Sequence, residues 1–181
     1  MKNLFLIGVG LIAPVFTAFA EIRDMDDAQI ADVVITANNI AIQAGKLAHS
    51  RSSNQKIREY AERMIGEHAI VNGSATELTT RLNLTPRNNP ISNELQTDSE
   101  KNIAVLASLH GREFDMAYID QAVILHQDVL DTIDNRLMPN ATSEDLKTLL
   151  YNLFSPLSDH IEQAQEIRES LNKKRRTAAE H

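Results

Sequence analysis

Apolar residues recur along this chain at alternating steps of three and four, the spacing that gathers them on one face of an α-helix. The first stripe covers 26–48 and carries Ile30, Val33, Ala37, Ile40, Ala44 and Leu47. The second opens after SRSSNQ and runs through Ile57, Ala61, Met64, Val71, Ala75, Leu78 and Leu82. A third, over 112–137, includes Ile119, Ala122 and Val129. A fourth starts near Thr142 and Ser143 and passes Leu146, Leu150, Leu153, Leu157, Ala164, Ile167 and Leu171. A shorter helical stretch, 93–109, ends at His110-Gly111. No segment alternates apolar and polar residues in the strand manner, so the pattern predicts an all-α protein.

The punctuation agrees. Ser52 and Gln55 fit a capping box at the start of the second helix. Pro86 and Pro90 break the chain at LTPRNNPIS. Ser143 suits an N-cap, with Glu144 and Asp145 at the positive helix end. Pro156 deprives the fourth helix of a bond to the carbonyl of Asn152 and predicts a bend there. Short connections join helices one and two, and three and four, so each pair should form an antiparallel hairpin. The 28 residues of 84–111 can travel the length of the bundle between them. Two hairpins joined by one long crossover containing a short helix make a ferritin-like four-helix bundle; an up-down-up-down bundle is the alternative.

The first twenty residues, MKNLFLIGVGLIAPVFTAFA, stand apart from this pattern. Lys2, an apolar stretch and Ala18-Phe19-Ala20 form a secretory signal peptide, cut after Ala20. The chain then divides into a leader (1–20), a bundle domain (21–172) and a basic, disordered tail (173–181). Lys2 is the leader's single charge, so 17 basic and 25 acidic residues remain, a net charge of −8. An acidic exported chain is poorly suited to nucleic acid, whose binding rests on neutralising phosphates. With no cysteine, disulfides and thiolate chemistry are excluded. Nothing after Ala20 is apolar for long enough to span a bilayer, and the expected location is periplasmic or secreted.

Three of the four stripes are interrupted at a position where an oil-like side chain would be expected: by His68, His126 and His160. Counted from the bundle end marked by 83, 137 and 143, they stand 15, 11 and 17 residues along. At about 1.5 Å per residue those heights agree to within about two turns. Helix one faces them with mostly small side chains, Ala37, Ile40, Ala41 and Ala44. Converging neutral imidazoles would suit a transition metal ion, zinc, copper or iron. Glu67, Asp115 and Tyr118 are candidate supporting groups, while Asp128 and Asp159 lie beside their histidines rather than under them. The competing reading is a polar core in which each ring bonds a carbonyl, Tyr60, Tyr118 or water.

Enzyme motifs are missing. The positions three residues before the histidines are Ile65, Val123 and Leu157, so the Glu-x-x-His pairs of a di-iron oxidase are not present. There is no His-Glu-x-x-His, nucleophile elbow, phosphate loop or dinucleotide fingerprint. A binding or structural protein is expected rather than an enzyme.

Gly45-Lys46-Leu47-Ala48, YAERMIGEH (60–68), LHGREFDMAYI (109–119), His126 and His160 carry a family resemblance. Over about 26–171 the chain resembles the bacterial envelope family called domain of unknown function four-one-four-two, whose members are often labelled predicted outer membrane proteins. The resemblance implies a ferritin-like bundle outside the cytoplasm. Glu67 stands where that family more often has Asp, and the sequence has neither barrel strands nor a cysteine for lipidation. Two classes of function follow: metal handling at the histidines in an envelope stress or storage role, or a metal-free structural or interaction module. An envelope protein or a second copy of the chain is the kind of partner either would take.

Overall fold

Asp26 starts the first helix by accepting from Gln29 N at 3.0 Å, while the Gln29 side chain returns the bond to Asp26 N. That reciprocal box launches α1 (Asp27–Arg51), and α2 (Gln55–Arg81) folds back against it after a three-residue turn. The computed structural model describes residues 25–179, with side chains to Lys173. The leader and its cleavage point after Ala20 lie outside the described residues. The expected capping box of Ser52 and Gln55 is not what forms. Asn54 caps α2 by accepting from Lys56 N, and Ser52 ends α1 instead, its hydroxyl claimed by Asp115 at 2.6 Å.

The α1/α2 hairpin is tight because its seam is small. Gly45 meets α2 where a Cβ would lie 3.0 Å from the Ala61 carbonyl oxygen and 3.1 Å from Ile65 Cγ1. Helix α2 ends in a Schellman arrangement, with Asn83 at φ +52° and Leu84 N donating to Thr79 O at 2.8 Å. The chain then returns to the start of α1, where Arg87 N donates to Ala28 O and Asn89 Nδ2 to Gln29 O. Asn89 also caps α3 (Pro90–Ser108). At its far end α3 is gripped by Arg51, the last residue of α1. The guanidinium donates to the carbonyls of Leu106, Ala107 and Leu109 and lies 5.1 Å from the Phe114 ring. The crossover therefore runs parallel to α1 from end to end.

Helix α4 (Gly111–Thr132) continues through a π-turn (Ile133–Leu137) into α5 (Met138–Asn140). The third helix thus extends past its expected end at Leu137. The wider turn precedes Pro139, which lacks an N–H and crowds an ordinary helical turn. Asp27 then accepts from Thr142 N, Thr142 Oγ1 and Ser143 N, tying the second hairpin's turn to the start of α1. The expected fourth helix is two helices. α6 (Glu144–Tyr151), capped by Ser143, stops at Asn152 and Leu153, and α7 (Phe154–Ala179) carries Pro156 in its first turn. The predicted bend is a break. The stretch expected as a separate tail is helical as far as Ala179.

Four helices in two antiparallel hairpins joined by an ordered crossover form the ferritin-like bundle that the periodicity predicts, with no strand among the described residues. Its apolar interior is divided. One cluster packs Ile57, Met64, Phe114, Ile119, Ala164 and Ile167; the other packs Ile30, Val34, Leu78, Ile133, Leu150 and Leu157. Each long helix passes from one cluster to the other at a buried polar residue: Asn38, His68, His126 or His160.

The Gly45 contact generates a paired prediction. Gly45→Ala should lower stability by about 1–3 kcal/mol, because backbone lies against the new methyl group. Gly66→Ala, where a Cβ meets nothing within 4 Å, should raise it by about 0.5–1 kcal/mol through helix propensity. Urea unfolding midpoints for both variants check the two signs.

Candidate metal centre

His68, His126 and His160 are 5%, 2% and 2% exposed, and their ring centroids lie 5.1–5.4 Å apart. One nitrogen from each ring lies within 4.8 Å of the others. The expected convergence is therefore present. A cavity of about 40 Å³ adjoins the rings, with Val33, Val34, Leu153 and Leu157 among its walls. That is room for an ion and a water-sized ligand.

The second nitrogen of each ring decides what the first can do. His68 Nδ1 lies 2.7 Å from Asn38 Oδ1, His126 Nδ1 2.7 Å from the Ala122 carbonyl, and His160 Nε2 2.7 Å from Glu67 Oε2. Oxygen atoms of these types accept, so each of those nitrogens carries the proton and donates. The remaining nitrogens, His68 Nε2, His126 Nε2 and His160 Nδ1, are then bare lone pairs. Two of them face each other at 3.3 Å. The third, His160 Nδ1, is buried and makes no hydrogen bond. Facing lone pairs repel unless a cation lies between them. Nitrogens each about 2.0–2.1 Å from a tetrahedral ion stand about 3.3 Å apart.

Electrostatics keep the rings neutral. Burial holds His68 down to about 3, with the neighbouring His126 and His160 adding to the effect. Burial likewise depresses His126 to about 4, against the opposing pull of the Ala122 carbonyl. His160 is lowered by burial, which outweighs the Glu67 carboxylate beside it. For Glu67 burial works upward, but hydrogen bonds from Arg63 and His160 prevail and hold the carboxyl below its ordinary value. Arg63 Nε donates to Glu67 Oε1 at 2.7 Å, so the carboxylate is braced between a guanidinium and an imidazole.

Of the candidate supporting groups, Glu67 reaches the cluster and two do not. Asp115 accepts from Ser52, eleven residues before His126 on α4, about 16 Å away along the helix. Tyr118 packs edge-on against Tyr60 with centroids 6.1 Å apart. Gly111, at φ +52°, opens α4, and Phe114, Asp115 and Tyr118 pack against Arg51, Ser52 and Tyr60 of the first hairpin rather than joining the histidine layer. Asp128 and Asp159 are exposed, beside their histidines as expected. Tyr60 donates to the His160 backbone carbonyl, not to a ring. Asn38 was not foreseen. The signal for it was present: Val34, Asn38, Ala41, Gly45 and Ala48 form a second stripe at steps of four, three, four and three.

A family described as "Domain of unknown function (DUF4142)" matches residues 15–167. No curated protein matches the chain. Among solved structures, the fold is similar to that of a DUF305 protein from Streptomyces coelicolor, inferred to be secreted. The TM-score is 0.67 at 13% identity, covering 81% of this chain and 93% of that one. At that identity the likeness concerns the helical fold alone.

The depressed histidines give stability a defined pH dependence in the metal-free chain. Unfolded histidines take up protons as pH falls through about 6.5, whereas His68 and His126 in the fold resist until about 3 and 4. The unfolded state then binds more protons, so stability is full above pH 6.5 and declines as pH drops toward 5. Urea midpoints should fall across that window, and less steeply in a His68→Gln variant. A flat profile from pH 6.5 to 5 contradicts the neutral, buried rings.

Proposed function

The chain belongs to the DUF4142 family, and we propose that it is an exported bundle protein that holds one transition metal ion between His68, His126 and His160. The observation that carries this reading is the set of three inward lone pairs, each backed by an oxygen on the ring's far side. Histidines that ligate metals are commonly oriented in that way, by a carboxylate or carbonyl on the opposite nitrogen. The donor set is three neutral imidazoles with no thiolate or carboxylate directly opposite, which suits zinc, copper or iron and not magnesium or calcium. A dry, apolar cover and absent Glu-x-x-His carboxylates favour holding the ion over ferritin-style oxidation. Metal storage, buffering or protection against stress in the envelope is the corresponding role.

The leader at 1–20 supports export, and among the described residues no helix is long and apolar enough to cross a membrane.

A metal-free polar core has one observation in its favour. Asn38 Nδ2 is buried without a partner. Turning that amide end for end would let it donate to His68 Nδ1, freeing His68 Nε2–H to donate to His126 Nε2. The rearrangement still leaves His160 Nδ1 unsatisfied, and this unspent acceptor favours the ion.

Untagged protein prepared from the periplasm without chelators should carry about one ion per chain by metal mass spectrometry. His126→Ala should lose it while its helical circular dichroism is retained. Glu67→Ala should weaken affinity by about 10–100-fold, the range for groups that orient a ligand histidine. A wild-type chain that is empty and also refuses added zinc, copper and iron would leave the metal-free core as the reading.

A further inference from the structure

A second cavity, of about 290 Å³, lies between α1, α3 and α4. The crossover helix roofs it with little volume, since the buried residues of α3 are Ser92, Ser99 and Leu106. Its apolar lining comes from Ile40 and Ala44 on α1, Met64 on α2 and Leu125 on α4. Its polar lining comes from Ser99 and Asn102 on α3 and from Tyr118, Gln121 and Asp128 on α4. Ser99 and Tyr118 are only 5% and 2% exposed. Asn102 and Asp128 are exposed at the chamber's edge, and none of the five side chains makes a hydrogen bond among the described residues, so their bonding capacity is open to water or an occupant. An apolar chamber with a few converging, unspent polar groups is the usual composition of a small-molecule site.

Charge narrows the occupant. Lys101, the basic side chain on the rim, is already paired with Asp98 at 2.8 Å. Asp128, at the exposed edge of the chamber, has no such cation beside it among the described residues. An anion would meet the Asp128 carboxylate with no unpaired cation to offset it, whereas an amine would find that carboxylate together with amide and hydroxyl oxygens that accept.

We propose that the chamber beneath α3 binds a small cationic amphiphile, an amine on an aromatic or branched apolar body, with its charge toward Asp128 and its body against Ile40, Ala44 and Met64. His126 forms part of this chamber as well as of the histidine cluster, so the occupant meets the cluster from outside. The site does not depend on a metal being held.

Three matched probes test it on the metal-stripped full chain: 2-phenylethylamine, 2-phenylethanol and phenylacetate, followed by calorimetry and by the nuclear magnetic resonances of the side-chain amides and His126. The amine should bind saturably, one per chain, at least about tenfold tighter than phenylacetate, a difference of about 1.4 kcal/mol. The Asn102, Gln121 and His126 signals should move. Asp128→Asn should abolish the advantage of the amine and leave the alcohol unaffected. Ser99→Leu or Ala44→Leu, filling the chamber from α3 and from α1, should remove binding of all three at unchanged helix content. No binding at about 10 mM, equal binding of amine and acid, or binding that survives both filled variants overturns the proposal.

Discussion

Everything at the centre of this bundle follows from which nitrogen of each imidazole carries the proton. In water the choice is nearly free; in a layer sealed above and below by leucine, isoleucine and phenylalanine it is dictated by the one oxygen within reach. Asn38, the Ala122 carbonyl and Glu67 each claim an N–H, and each claim turns a lone pair toward the middle. Burial then removes the remaining freedom, because a charged ring would have to give up its hydration with a like-charged neighbour at hand. The polar layer is thus specified by its periphery. Glu67 depends on Arg63, and Asn38 reaches His68 across the seam between α1 and α2.

The same layer explains the two-part interior. A continuous apolar core would bury more oil, but each long helix gives up one inward position to a polar group at the same height. Stability is left to the two flanking clusters and to polar fastenings at the ends. Asp27 binds the second hairpin's turn, and Arg51 caps the crossover across three carbonyls. Both fastenings sit on α1, which makes that helix the strut to which the other elements are tied.

Much of this was legible in the pattern of residues. Seam spacing identified the helices and put three histidines on inward faces, and simple counting brought them to one level. Asn38 escaped because the eye follows the greasier of two adjacent stripes; its own stripe is made of Ala and Gly. Ser52 looked like a helix cap, and only a tertiary partner, Asp115, shows why Asn54 takes that role. Asp115 and Tyr118 were read as site residues from the correct face of the correct helix, but at the wrong height: periodicity reports direction around an axis, while distance along it must be counted. The π-turn was invisible because Val129, Ile133 and Leu137 recur every four residues, as in any helix. Pro156 announced where the fourth helix would yield, but whether it bends or breaks depends on packing.

The polar layer draws Asn38, His68, His126 and His160 from four helices spread over more than a hundred residues of sequence. No fragment of the chain contains a local cluster of them, and no hairpin alone holds all three rings. In the unfolded polymer they are solitary side chains separated by long loops, each with the modest affinities of free imidazole. Assembly of the layer and closure of the bundle are therefore a single cooperative event. An ion held at the centre would act as a cross-link that exists only in the folded topology, and losing the last helix dissolves the layer as surely as losing a histidine.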